Sequence, residues 1–238
     1  MDETYNINAI IINRKNFREH DAKLQVFSFQ AGKLDLVVRG AKKISSKIAP
    51  FVEPLTNAKL MVVRGKMFDY VGGAEIIKIY NFIKSDLQKS LSAGRILHLY
   101  NKFIRDKSKD KPLFNLLKNA LDIIEENQLE LNFFIDIFTI KFFYELGYGF
   151  ELYDCVVCGK KLVKTDKLLD LTKGGIICHG CFQKKDLKNN ASLTISAESI
   201  IILRLINEKE IIKLTKIKTK QLYKNEIKNI ASSLVLFY

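Results

Sequence analysis

Apolar and polar positions alternate in short runs over the first eighty residues: Ile7-Asn8-Ala9-Ile10-Ile11-Ile12, then Leu24-Gln25-Val26-Phe27-Ser28-Phe29, then Leu34-Asp35-Leu36-Val37-Val38. A period of two, rich in β-branched and aromatic residues, predicts strands with one buried face. Ala31-Gly32 and Arg39-Gly40 supply the turn signals between them. Two more strands are predicted over Leu55–Val63 and Phe68–Tyr80, divided by Arg64-Gly65-Lys66. Gly72-Gly73, inside the last of these, predicts a bulge or bend.

After Asn81 the period lengthens to about 3.6, as in Leu87, Leu91, Leu99 and Phe103, so helices take over. Ser85-Asp86 reads as an N-cap. Further helices are predicted over Pro112–Asn127 and Leu129–Leu146, with Gly147 and Gly149 as the stop, and over Ser196–Asn207 and Lys220–Leu236. The run Phe133 to Tyr144 puts aromatic and aliphatic side chains on every face of its helix, the pattern of a central buried helix. The expected fold class is α+β. Five short strands in residues 1–80 suggest a small closed barrel, most commonly the five-stranded oligonucleotide-binding type, and residues 81–238 form an α-helical domain.

Charge adds a location to this outline. The chain carries 39 Lys and Arg against 26 Asp and Glu, a formal +13. Lysine bias accounts for part of that excess, so position says more than the total. Between Arg14 and Lys47 the cations Lys15, Arg18, Lys23, Lys33, Arg39, Lys42, Lys43 and Lys47 face only Glu19, Asp21 and Asp35. A barrel would present Lys33, Arg39, Lys42, Lys43 and Lys47 together, a footprint suited to phosphates; a merely solvated basic face is the alternative. Phe17, Phe51, Phe68 and Tyr70 are candidate base-stacking surfaces, whereas Phe27 and Phe29, sharing one strand face, are expected in the barrel core.

No catalytic constellation is apparent. His20, His98 and His179 are scattered, no phosphate-binding glycine loop occurs, and no carboxylate pair has a motif context. No apolar run reaches the length of a membrane helix, and a secretory leader is absent, so a soluble intracellular protein is expected.

All four cysteines fall in two Cys-x-x-Cys pairs, Cys155/Cys158 and Cys178/Cys181, with nineteen residues between the pairs. Four soft thiolates at this spacing predict a closed tetrahedral zinc site in a module spanning about 151–185. Disulfides or a redox pair are the weaker readings, and His179 within the second pair is expected to be a loop residue rather than a ligand. A four-thiolate site leaves no open coordination position, so a structural role follows.

Several motifs carry a family resemblance. Phe17-Arg18-Glu19-His20-Asp21, Gly32-Lys33, Arg39-Gly40-Ala41-Lys42-Lys43, Ser45-Ser46 and Pro50-Phe51 resemble the N-terminal barrel of the bacterial DNA repair protein RecO family. Phe142-Phe143-Tyr144-Glu145-Leu146-Gly147-Tyr148, followed by Cys155-x-x-Cys158-Gly159, Gly174-Gly175 and Cys178-x-x-Cys181, resembles that family's central helix and zinc module. The resemblance implies a cytoplasmic, nucleoid-associated recombination mediator that breaks no bonds. It implies binding to single- and double-stranded DNA, annealing of complementary strands, and action with RecR on single-stranded-DNA-binding protein to load RecA. By position it marks Lys33, Arg39, Lys42 and Lys43 as DNA contacts, to which charge adds Lys15, Arg18 and Lys47. A zinc-containing protein–protein adaptor and a nuclease are the rival readings. The last fifty residues, rich in Lys and Ile, carry little recognisable motif.

Overall fold

The computed structural model describes residues 4–106, 108–163, 168–184 and 192–238. Residues 164–167 and the limit of the predicted zinc module at Lys185 lie outside the described residues. The chain forms two compact units, residues 1–128 and 129–238.

The first unit is built on a closed barrel of β1 (Thr4–Phe17), β2 (Asp21–Ser28), β3 (Gly32–Val38), β4 (Thr56–Val63) and β5 (Asp69–Ile79), in the order β1-β2-β3-β5-β4. All neighbours are antiparallel except β3 and β5, which close the barrel in parallel through Leu36 opposite Asp69 and Val37 opposite Tyr70. β1 is much longer than its apolar run predicts. Beyond Ile12 it continues through Asn13–Phe17, held to β2 by the ladder and by a 2.9 Å bond from Asn13 Nδ2 to Gln25 Oε1. Alternate residues point inward, as the strand period requires: Ile7, Ala9, Ile11, Ala22, Leu24, Val26, Leu34, Leu36, Val38, Ala58, Leu60 and Val62 form one core with Val52. The predicted bulge is at Gly72, where Met61 faces Gly73 while Val62 faces Val71. A Cβ there would press on the Met61 and Val63 side chains.

Phe27 and Phe29 correct the sequence reading. Their face of the strand points out of the barrel, because Leu24 and Val26 occupy the inward positions. Phe27 packs on Tyr100 and Phe114, with ring centroids 5.2 and 6.2 Å away, and Phe29 meets Phe114 edge-on at 5.6 Å. These partners come from α2 (Leu87–Phe103) and α3 (Lys111–Glu126), which follow the single-turn α1 (Asn81–Ser85). Asp86 caps α2 by accepting from Lys89 N at 2.9 Å, and Asp110 caps α3, with Pro112 in its first turn. Buried Glu125 of α3 accepts from Phe82 N and Ile83 N, satisfying the opening amides of α1.

In the second unit α4 (Leu131–Glu145) is buried continuously from Phe133 to Phe143, as its unbroken apolar character predicts. It packs on α6 (Ala197–Glu208), α7 (Ile211–Leu214) and α8 (Gln221–Phe237). Gly147, at φ +90°, ends the helix, and Tyr148 N returns to Phe143 O at 2.9 Å. A three-stranded sheet, ordered β7-β6-β8, consists of β6 (Leu168–Asp170), β7 (Gly175–Ile177) and β8 (Ser192–Thr194); α5 (His179–Lys184) lies between β7 and β8 in the chain.

Candidate nucleic-acid interface and metal centre

Three loops carry most of the exposed cations of the barrel. In the β1–β2 turn, Arg18 adopts a left-handed conformation at φ +50°, and its guanidinium lies 5.1 Å from the Phe17 ring centroid. Phe17 in turn meets Phe68, from the β4–β5 loop, edge-on at 5.4 Å. In the loop after β3, Arg39 lies 4.2 Å over the Tyr70 ring. Each arginine is therefore held on an aromatic face while still exposed to solvent.

The loop from Arg39 to Ser46 is pinned at several points. Gly40, at φ +64°, turns the chain, and its amide donates to Asp21 Oδ1 at 2.9 Å. Lys42 N donates to His20 O at 3.0 Å, and the Lys42 ammonium reaches Arg18 O at 3.5 Å. Lys43 N and Ser46 N close successive turns on Gly40 O and Lys43 O. Arg14, paired with Glu53, donates from Nη2 to Ala41 O at 3.1 Å. The Glu19-His20-Asp21 turn, unremarkable in sequence, thus anchors the basic loop through its backbone and its Asp21 carboxylate.

Arg39, Lys42, Lys43, Lys47, Lys15 and Arg18 are exposed, and the structure links Arg18, Arg39 and Lys42 through the contacts just described. Lys15 sits beside them on β1, opposite Lys23. Lys33 does not join them. It is 7 % exposed, points to the outer side of β3, and donates to Asn101 O at 2.7 Å and Ile104 O at 3.1 Å, with Asp106 at 3.8 Å. Its ammonium terminates α2 by satisfying orphan carbonyls, so Lys33 is corrected from a DNA contact to a structural lysine. Phe51 is also withdrawn as a stacking surface, because it packs against the barrel core.

Arg64 and Lys66 were missed in the sequence, where Arg64-Gly65-Lys66 served only as a turn between strands. Both are exposed, and Arg64 lies 5.4 Å over Tyr5. Burial and a 3.0 Å bond to Asp69 push the Tyr5 hydroxyl up to about 12, so it stays a neutral platform. The available signal is a pair of cations in the turn between β4 and β5, one of the loops that oligonucleotide-binding barrels use.

In the second unit the Sγ atoms of Cys155, Cys158, Cys178 and Cys181 all lie within 4.8 Å of one another. Four sulfurs bound to one Zn²⁺ at about 2.3 Å would sit roughly 3.8 Å apart. Cys158 and Cys178 are 3.8 Å apart. The donor set fits Zn²⁺. Gly159, at φ +70°, turns the first knuckle, and Cys155 N bonds Lys160 O at 2.8 Å. Cys178 N donates to Cys155 Sγ at 3.3 Å, joining the knuckles. Burial opposes ionisation of Cys155, but amides of Cys178, Val157 and Cys158 outweigh it and bring the thiol down to about 6. Cys181 is pushed up to about 12, chiefly by hydrogen bonding with Cys158 and Cys178. His179 turns to Gln183, 2.7 Å away, and stands outside the cluster.

Asp170, fully buried, builds the turn that carries the second knuckle. It accepts from Thr172 N, Thr172 Oγ1 and Lys173 N on one oxygen and from Ser192 Oγ on the other. Burial would raise its carboxyl, yet these donors hold it below the ordinary range. Among the described residues, no helix is long and apolar enough to cross a membrane.

Comparison with known proteins gives the family. The family model "Recombination protein O N terminal" matches residues 1–80, and "Recombination protein O C terminal" matches residues 84–238. The chain is 28% identical over 236 residues to the DNA repair protein RecO of Desulforamulus reducens, covering 98% of this chain and 89% of that protein. It is 28% identical over 226 residues to the DNA repair protein RecO of Thermoanaerobacter sp. strain X514, covering 94% and 88%. It is 32% identical over 151 residues to that of Streptococcus equi subsp. zooepidemicus, covering 63% and 58%. With a closed five-stranded barrel, a helical second half and a four-cysteine cluster, the chain belongs to the recombination protein O family.

Proposed function

We propose that this protein acts in DNA repair as a non-catalytic mediator that binds DNA through the basic loops of its barrel and anneals complementary strands. The observation that carries the reading is the set of exposed arginines mounted on aromatic rings, Arg18 on Phe17 and Arg39 on Tyr70, beside the pinned Lys42 and Lys43. Guanidinium and ammonium groups contact phosphates without reading sequence, and a guanidinium stacked on a half-buried ring offers a flat cationic face to any base. Two strands drawn into one positive field lose part of their mutual repulsion while their pairing edges stay free. Annealing needs both conditions.

The DNA contacts are assigned to Arg39, Lys42, Lys43, Lys47, Lys15 and Arg18, with Arg64 and Lys66 added from the structure. The relatives' names support DNA repair, and the family resemblance supports RecR and single-stranded-DNA-binding protein as partners, RecA loading as the outcome, and the cytoplasmic nucleoid as the place. On the same basis nucleic-acid binding is allotted to residues 1–80, and the zinc module to the helical part, 81–238. Zn²⁺, when bound, would be held by Cys155, Cys158, Cys178 and Cys181 as a closed tetrathiolate and would supply folding energy rather than reactivity.

Fluorescence anisotropy of labelled single-stranded DNA across a salt series tests the interface. Each phosphate contact on a single strand contributes about 0.7 to the slope of log K against log salt. Joint replacement of Arg39, Lys42 and Lys43 with Ala is expected to lower that slope by about 2. An unchanged slope would remove this loop from the interface, and weak wild-type binding at every salt concentration would favour a protein–protein adaptor.

A further inference from the structure

The basic loop after β3 carries one side chain for which phosphate binding has no use. Ile44 is 109 % exposed, more than any other large apolar side chain among the described residues. Isolated apolar residues are ordinary on protein surfaces. Ile44 differs in its setting. Lys42, Lys43 and Lys47 around it are all exposed cations, and the stem of the loop is fixed by Asp21 on Gly40 N, His20 O on Lys42 N, and Arg14 on Ala41 O. The Ser46 N to Lys43 O bond, 2.9 Å long, closes a turn around Ile44 and Ser45. The molecule thus holds a fully exposed branched apolar group at the tip of a hydrogen-bonded, strongly cationic turn.

Charge complementarity selects the occupant. A polyanion whose phosphates lie on Lys42, Lys43 and Lys47 brings its bases within one side-chain length of Ile44. Apolar wedges, Ile among them, insert between base steps and unstack them in other DNA-binding proteins. We propose that Ile44 is a base-contacting wedge: with the flanking lysines on the phosphates, its side chain enters the base stack of the bound strand and opens one step. The proposal rests on the DNA-binding reading of the same loop and adds a contact to bases rather than to backbone.

The chain contains no tryptophan, so Ile44→Trp introduces a single tryptophan, excited selectively over the tyrosines, at an exposed position. It is titrated at low salt with a single-stranded oligonucleotide and with an abasic phosphodiester chain of the same length, binding being followed separately by anisotropy. Emission is expected to be quenched by the oligonucleotide and unchanged by the abasic chain, although both bind. Ile44→Ser is expected to weaken oligonucleotide binding by up to about fivefold, the lower end of the range for stacking on an aromatic side chain, and to leave abasic binding unaltered. Equal quenching by both polymers, or unchanged affinity of Ile44→Ser for both, overturns the wedge and leaves backbone binding intact. A response only to vesicles containing phosphatidylglycerol overturns it in favour of an anionic bilayer. Failure of the unsubstituted protein to bind either polymer would instead sink the DNA-binding reading and the wedge with it.

Discussion

Lys33 and Arg39, six residues apart on one strand and the loop it leads into, show how differently two cations of the same basic segment are used. Lys33 faces the outer side of β3 where α2 ends, and its ammonium meets the carbonyls of Asn101 and Ile104. Arg39 has passed the end of the strand and rests on Tyr70 in solvent. Removing Lys33 leaves buried acceptors without a donor, which costs about 1–3 kcal/mol per unsatisfied group. Lys33→Ala is therefore expected to destabilise the protein by roughly 2 kcal/mol in a urea titration while leaving the salt slope of DNA binding unchanged. A lowered slope with undiminished stability would return Lys33 to the interface. The pattern of charge in the sequence treats the two residues alike; burial separates them.

At the scale of elements, the two Cys-x-x-Cys knuckles show a part whose purpose is legible from spacing and whose mounting is not. The thiolate count and the turn glycine after the first pair are sequence facts. The Asp170 turn and the amide of Cys178 bonding to Cys155 come from β6, β7 and the segment before α5 meeting in space. A closed site contributes its binding energy to folding. Metal released by denaturation and measured colorimetrically is expected at one Zn²⁺ per chain. Stripping it with a chelator, or replacing Cys158 with Ser, is expected to lower the melting temperature, with the DNA salt slope preserved. Retained stability after complete metal removal would show that the second unit folds without it. Because the ligands bind as thiolates, metal affinity falls as pH falls.

For the molecule as a whole, the division into compact units follows packing rather than the switch from strands to helices. Phe27 and Lys33, on the outward faces of β2 and β3, are completed by Tyr100, Phe114 and the end of α2. A fragment ending at residue 80 would expose Phe27 and strand the Lys33 ammonium, whereas one ending at 128 keeps both covered. Residues 1–128 are expected to unfold cooperatively in a thermal melt and to retain the salt-dependent DNA binding. Residues 1–80 are expected to aggregate or to melt without a sharp transition. A cooperative transition in the shorter fragment would show that the barrel core alone suffices.

The sequence by itself determined the five barrel strands and the longer helices, the bulge at Gly72, the central burial of α4, the cysteine donor set and the basic segment, but not the small sheet of β6, β7 and β8 or the short helices α5 and α7. These follow from local periodicity, glycine conformation and ligand chemistry, each of which is a property of nearby residues. Only the tertiary structure decided that Phe27 and Phe29 face helices instead of the barrel core, and that Lys33 ends a helix. It also decided that Asp21 and Arg14 brace the basic loop, that Arg64 stands on Tyr5, and that Ile44 projects bare from its tip. Strand alternation says that two faces differ without saying which one meets the core, and a charge has no address until its neighbours are in place.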